Sequence, residues 1–510
     1  MSISKQCWCL CLLLLFFLCT CAPPPPNPLF ELTDSGATGL NFSNNVAEDD
    51  TFNILDFEFV YNGGGVAVAD FNGDERPDLY FTGNTVPNAL YLNKGDLNFE
   101  DVTEKSNTGA TGRWCSGVVV GDVNADGRPD LYVSATVYTP GSRRKNLLFI
   151  NEGNDADGVP RFSDQAEAYG LADTTNTTQA AFLDYDRDGD LDLYLVVNEM
   201  DNLLISNRYV PKRRDGKGRR NDRLYRNDGD QGNGHPVFTN VTLAAGINMD
   251  GYGLGLSICD LNDDGWPDIY VTNDYVTNDL LWINNQDGTF TDRADDYFKH
   301  SAYSAMGNDV ADLNSDGLED VIALDMFPET NARRKSMMGP NNYHEHINSE
   351  RYGYQYQYTR NVLQLAQGER PGENTAPIFA ETGGFAGIAA TDWSWSPLAA
   401  DFDHDGDRDL LITNGFPKDI TDRDFMDYNL SVGNIASRKM LLPKIPSVKV
   451  VNYAYANDGG EVPSFCKVTK EWGLNTPSYS NGAAYADLDG DGDLDYVVNN
   501  INDKCFLYRN

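Results

Sequence analysis

One nine-residue pattern recurs seven times in this 510-residue chain, and it constrains the fold more than any other feature. The copies read DFNGDERPD from Asp70, DVNADGRPD from Asp122, DYDRDGDLD from Asp184, DLNDDGWPD from Asp260, DLNSDGLED from Asp312, DFDHDGDRD from Asp401 and DLDGDGDLD from Asp487. Their shared form is D-x-[DN]-x-D-G-x-x-D. Together they hold 30 of the chain's 77 acidic residues, so much of the acidity is organised and is not a diffuse solubilising coat. Repetition in register marks an array of one supersecondary unit. Each copy follows a short run of small and β-branched residues, such as GGVAVA, SGVVVG or NGAAYA, and precedes an apolar run such as LYFTG, LYVSA or LLITN. Strand, tight acidic loop, strand is a hairpin signal. A third strand follows in NALYLN, KNLLFIN, NDRLYRN, NDLLWIN, RNVLQLA, VNYAYAN and KCFLYRN, and a fourth in segments such as VFTNVTLAAGI. Seven four-stranded antiparallel units predict an all-β chain folded as a seven-bladed β-propeller. The last unit stops at Asn510 after its third strand, while LFELTDSGATGLNF supplies an unpaired fourth strand ahead of the first unit. Pairing the two closes the ring and removes exposed sheet edges.

Within each loop, side chains at positions 1, 3, 5 and 9 and the backbone carbonyl at position 7 offer an all-oxygen shell. The side chains are Asp70, Asn72, Asp74 and Asp78 in the first loop, then Asp122, Asn124, Asp126 and Asp130, and then Asp184, Asp186, Asp188 and Asp192. The fourth and fifth loops supply Asp260, Asn262, Asp264, Asp268 and Asp312, Asn314, Asp316, Asp320. The last two supply Asp401, Asp403, Asp405, Asp409 and Asp487, Asp489, Asp491, Asp495. Hard oxygen donors on a flexible loop suit Ca²⁺, at roughly 2.3 to 2.6 Å, better than Mg²⁺ with its stricter octahedron. No Cys or His takes a ligand position, which disfavours zinc and copper. The expectation is up to seven structural Ca²⁺ ions. An EF-hand would need a bidentate Glu at position 12, where these loops have Phe81, Val133, Leu195, Val271, Ala323, Ile412 or Val498 inside a strand. Glycine at position 6 permits a positive φ. Glu75 takes that place in the first loop, which ranks it the weakest site. A carboxylate active site needs two acids in contrasting environments. Seven near-identical cages read as scaffold instead.

The N-terminal MSISKQCWCLCLLLLFFLCTC has one Lys, an apolar run from Trp8 to Leu18, and Cys21 ahead of APPPPNP, the order of a secretory signal. The run is too short to span a bilayer comfortably. Cys21 at the cleavage point, with Leu18 three residues before it, reads as a lipobox-like end and a lipidation site. Residues 1–21 are thus a signal, 22–29 a Pro-rich linker and 30–510 the propeller, with insertions near 200–221, 326–360 and 415–450. Net charge is −38, which disfavours nucleic acid and leaves the membrane as a partner through the lipid anchor only. Outside the leader, Cys115, Cys259, Cys466 and Cys505 are expected to be small buried residues, since their spacing forms no disulfide framework.

The acidic hairpins with their flanking strands resemble the FG-GAP or VCBS repeats of integrin α-subunit propellers. More fully, FVYNGGGVAVADFNGD, LDMFPE, MGPNNY, YGYQYQYTRNVLQL, TDWSWSPLAADFDHDGDRDLLITNG and SNGAAYADLDGDGDLDYVVNNIN resemble the VCBS-repeat lipoproteins of Bacteroidetes, related to the CRTAC/ASPIC-UnbV family. That resemblance covers nearly all of the mature chain. It implies an exported protein of the bacterial cell envelope, an outer-membrane lipoprotein, with structural calcium. It is specific for fold and calcium and weak for function.

Loops on the face opposite the acidic hairpins carry the functional candidates. RYVPKRRDGKGRRNDR, residues 208–223, is strongly basic and is expected to be a mobile solvated loop, the alternative being a docking site for an acidic glycan or a partner. The blade-five insertion holds His344 and His346, expected in surface or capping roles, and alternating tyrosines at 352, 354, 356 and 358, where the alternation suggests a strand. In the blade-six insertion an amphipathic helix is expected from about Phe425 to Leu442. Tyr354, Arg360, Trp393 and Trp395 are the candidates for ligand contact, by stacking or ion pairing. No Ser-His-Asp set, HExxH or phosphate-binding glycine loop is present, so no catalytic residue is assigned. The reading is a cell-surface recognition or adhesion module for an extracellular glycan or protein. The alternative is a polysaccharide-active enzyme of lyase or dehydratase type on the same scaffold.

Overall fold

The computed structural model describes residues 28–138, 140–199, 209–337, 343–368, 376–433 and 435–510. The leader, with Cys21, lies outside the described residues, as does the side chain of His344. Blade one consists of Val66–Ala69, Asp78–Phe81, Ala89–Asn93 and Phe99–Asp101, hydrogen-bonded in that order and antiparallel throughout. Blades two to six repeat this arrangement over residues 115–164, 177–240, 253–292, 308–381 and 394–467. Blade seven takes Ser480–Ala486, Asp495–Asn500 and Phe506–Arg509 from the C-terminal end and Glu31–Leu32 from the N-terminal end. Glu31 pairs with Arg509 and Leu32 with Tyr508, so the ring closes as the sequence predicts.

Burial follows strand position. Second strands such as Asp130–Ala135 and Asp192–Val197 are buried at every residue, because paired strands flank them and neighbouring blades cover both faces. First strands are only half-buried, since they line the axis. Small residues are needed there. A Cβ on Gly307 would stand 2.0 Å from the carbonyl oxygen of Trp395 in the next blade, and one on Gly482 would stand 2.4 Å from that of Gly64. Several fourth strands run into a one-turn helix, as in Thr103–Ser106 and Ala166–Tyr169. Ser35–Thr38 follows Glu31–Leu32 in the same way.

Strand one leads into an acidic loop and strand two leaves it, so the start of strand one and the end of strand two lie on the opposite face. A cap builds up there. Ile54, Val60, Phe416, Phe425, Leu442 and Ile445 share one buried cluster with Trp393 and Trp395. The segment before blade one is therefore part of the cap, a role the sequence did not reveal. Arg438 binds Asp56 through two nitrogens, and Tyr61 meets Phe416 edge-on.

Four local expectations are corrected. The single helix from Phe425 to Leu442 is instead Arg423–Val432 followed by Arg438–Leu441, because Ser437 is extended and starts a new turn. Tyr352 ends the helix Tyr343–Tyr352, and only Gln357–Tyr358 forms a strand, parallel to Ser301–Ala302, because Gly353 turns the chain at φ 72°. The basic segment is solvated only in part: Arg213, Arg214, Lys217 and Arg219 are exposed, while Lys212 is 9% exposed and lies over the Tyr354 ring and Arg220 lies over Tyr252. Cys466 is exposed, its thiol 3.2 Å from an Asp458 oxygen, whereas Cys115, Cys259 and Cys505 are buried.

Candidate functional site

The seven acidic loops share one backbone scheme. The position-1 carboxylate accepts the N–H of position 6: Gly127 N to Asp122 at 2.8 Å, Gly265 N to Asp260 at 2.8 Å, Gly492 N to Asp487 at 3.1 Å. Position 6 is left-handed in every loop, including Glu75 at φ 67°. Position 4 is left-handed as well, at Ala125, Arg187, Asp263, Ser315 and His404. No residue preference advertises that conformation, so sequence reading missed it.

The position-9 aspartate clamps the loop to the blade. One Asp130 oxygen accepts the N–H of Val123 at 3.0 Å, and the other accepts that of Asn151 at 2.8 Å. Burial, reinforced by neighbouring carboxylates of the same loop, pushes this carboxyl up to about 7 in Asp78, Asp130, Asp268 and Asp409, and to about 8 in Asp192.

Position 3 divides the loops. In four of them an asparagine amide donates to the position-5 carboxylate: Asn72 to Asp74 at 3.2 Å, Asn124 to Asp126 at 3.1 Å, Asn262 to Asp264 at 2.9 Å and Asn314 to Asp316 at 3.0 Å. In blades three, six and seven an aspartate replaces it. There Asp186, Asp403 and Asp489 each bury an Oδ1 with no hydrogen-bond partner among the described residues. Carboxylate oxygens of Asp184, Asp186 and Asp192, of Asp401, Asp403 and Asp409, and of Asp487, Asp489 and Asp491 lie within 4.8 Å of one another. A buried anionic oxygen without a donor is costly unless a cation neutralises it. These loops fit a hard cation on oxygen ligands.

Sequence reasoning also missed the asparagine found at the fifth place from the start of most third strands. Asn151 Nδ2 donates to the carbonyl of Pro129 in its own loop at 3.3 Å and to that of Phe71, in the loop of blade one, at 2.9 Å. Asn93 reaches Leu488, Asn284 reaches Tyr185, Asn457 reaches Leu313 and Asn510 reaches Phe402 in the same way. Five of the seven neighbouring pairs of loops are tied in this way, while Asn227 of blade three reaches only Leu191 in its own loop. The signal was present in the repeated terminal Asn of YLN, FIN, YRN, WIN and YAN; blade five has Ala366 at this place.

On the opposite face a cavity of 490 Å³ opens along the axis. Trp114, Trp395 and Phe59 give it aromatic walls, and Glu58, Glu199 and Arg144 give it charge. Glu58 accepts the Tyr275 hydroxyl, and burial holds its carboxyl above the usual range. Glu199 pairs with Arg219 at 3.1 Å. Asn62 Nδ2, Asn198 Oδ1 and Asn481 Oδ1, all on the wall, have no hydrogen-bond partner among the described residues.

The four candidates for ligand contact do not converge. Trp395 lines the axial cavity, with its indole N–H on the Gly415 carbonyl at 2.9 Å. Trp393 is buried and stacks on Phe416 at 4.1 Å. Tyr354 belongs to a second pocket of 320 Å³ beside the basic segment. Arg360 binds Glu381 at 2.7 Å, near His300. His346 stacks on Tyr356.

This architecture is a seven-bladed β-propeller carrying FG-GAP-like repeats, a family matched at residues 70–133 and 260–323. The chain is similar to cartilage acidic protein 1 of Xenopus tropicalis, at 25% identity over 215 residues. That match covers 42% of this chain and 29% of the relative, so the chain spans less than a third of that protein. Among solved structures, a lectin of Agrocybe aegerita described in specific recognition of non-reducing terminal N-acetylglucosamine aligns at 14% identity and a TM-score of 0.39, over 81% of this chain and 84% of that one. A GH43 β-1,3-galactosidase solved with galactodeoxynojirimycin aligns at 12% and 0.29, over 66% and 97%. No helix among the described residues is long and apolar enough to cross a membrane.

Proposed function

We propose that this chain is an exported recognition module, held at the bacterial envelope through Cys21, whose calcium-bearing propeller presents the axial cavity to a glycan. For calcium, the carrying observation is the set of orphaned carboxylate oxygens at Asp186, Asp403 and Asp489, which ranks the loops of blades three, six and seven as the tightest. For the ligand, it is the cavity wall: unpartnered amides beside aromatic rings suit a molecule with hydroxyl groups and apolar ring faces, and 490 Å³ is within the range of small-molecule sites. A glycan array probed with the leader-free protein in calcium tests this. Retained glycans should bind Asn198→Ala and Trp395→Phe at least tenfold more weakly. An empty array, or variants that bind as well as the parent, would refute the assignment.

A second reading, a glycan-cleaving enzyme, is favoured by one feature. Glu58 and Glu199 line the same cavity, and burial holds the Glu58 carboxyl above its usual range, as a general acid requires. Turnover of an array hit that disappears in Glu58→Gln while binding persists would establish the enzyme; binding with no product would leave the receptor.

A further inference from the structure

The second pocket lies away from the axis, between the basic segment and the turn joining strands two and three of blade four. Its lining includes Lys212, Arg213 and Arg220 against a single carboxylate, Asp250, in a chain whose net charge is −38. We propose that this pocket binds a saccharide bearing a carboxylate or sulfate group, at a site separate from the axial cavity.

Three observations carry it. First, the acids facing two of the cations stand too far away to satisfy them. Asp295 is 3.9 Å from the Lys212 ammonium, and Asp215 and Asp250 are 3.8 and 4.0 Å from Arg213. Charge-assisted hydrogen bonds of this kind run about 2.7 to 2.9 Å, so donor capacity is left for an incoming oxyanion. Second, Lys212 is mostly buried, and burial penalises an ammonium without a close partner, so an anion in the pocket would relieve a cost already present. Third, the pocket offers more than charge. Tyr354, half-buried, supplies aromatic surface beside Lys212, and Asn278, 5% exposed, has an Oδ1 with no partner among the described residues. A sugar ring against Tyr354, a hydroxyl donating to Asn278 and an acidic substituent toward Lys212 and Arg213 would use all of these groups.

Calorimetric titration of the calcium-loaded protein with glucuronate and galactose 6-sulfate, beside neutral glucose and galactose, tests the proposal. At least one acidic sugar should bind ten or more times more tightly than its neutral counterpart, and high salt should weaken it; which one binds separates carboxylate from sulfate. Arg213→Glu, at an exposed position, and Lys212→Met, which keeps the buried stem, should each weaken acidic binding about tenfold or more with unchanged melting. Trp395→Phe should leave it intact, which distinguishes this pocket from the axial one. Equal affinity for acidic and neutral sugars, no acidic binding, or indifference to both basic-residue variants would overturn the assignment.

Discussion

Replacing Asn151 with Ala tests the idea that the ring is held together loop to loop. The side chain is fully buried, and its amide donates to Phe71 in blade one and to Pro129 in blade two, while its oxygen accepts the N–H of Gly153 at 3.0 Å. Truncation removes all three bonds and leaves two backbone carbonyls without their side-chain donor. At about 1 kcal/mol for each lost bond, with a further penalty for unsatisfied buried carbonyls, the expected loss is about 3 to 4 kcal/mol. Guanidinium unfolding in calcium, followed by tryptophan fluorescence, measures it. Asn154→Ala is the matched control: it also removes a bond to blade one, to the Asn72 carbonyl at 2.6 Å, but from an exposed position. That change should cost well under 1 kcal/mol. Equal effects at the two positions, or a loss below about 1 kcal/mol at Asn151, would refute the latch.

Other outcomes follow from the same geometry. Chelation should lower the melting temperature strongly, and Asp186→Ala, Asp403→Ala and Asp489→Ala, which delete the position-3 ligand, should each remove one tightly bound calcium by elemental analysis; melting indifferent to chelator would sink the metal assignment. Glu75→Gly, which relieves a left-handed glutamate at φ 67°, should stabilise the fold by about 1 kcal/mol in thermal unfolding. Gly307→Ala should prevent folding, seen as loss of soluble protein, because its Cβ meets backbone at 2.0 Å. Asp222 accepts the Tyr194 hydroxyl and the Val197 N–H, and burial raises its carboxyl to about 7. A carboxyl raised above the ordinary 3.8 binds more protons folded than unfolded, so its contribution is full at low pH and declines as pH rises from about 4 to 7. Asp222→Asn copies Asn146, which holds Tyr132 in blade two, and should flatten that slope in melting scans across this range.

The blades and the acidic hairpins were readable because each depends on residues close in sequence and repeated seven times, and the ring closure because the last unit lacks a fourth strand that the N-terminal segment supplies. Tight loops announce themselves through Gly at position 6; the left-handed Arg187 and His404 at position 4 do not, because the surrounding hydrogen bonds impose that conformation. The latch was visible as a letter, the Asn repeated in most third strands, but its partner belongs to another blade. Packing of the basic segment depends on Tyr354, far along the chain, so charge density alone suggested solvent. For the same reason the cap role of residues such as Ile54 and Val60 was invisible: their neighbours, Phe425 and Ile445, come from blade six.

The closing strand also sets an orientation. Glu31 pairs with Arg509, whose side chain reaches Asp489 and Asp491, and the next residue, Asn510, donates to Asp495. The chain therefore enters the propeller on the acidic-loop side. Six residues separate Cys21 from Pro28, seven Cα-to-Cα steps with a reach of at most about 25 Å. With the proposed lipid and calcium, the molecule would stand on its acidic loops like a stool on its feet, with divalent ions between acidic protein and headgroups and both pockets turned outward, away from the bilayer.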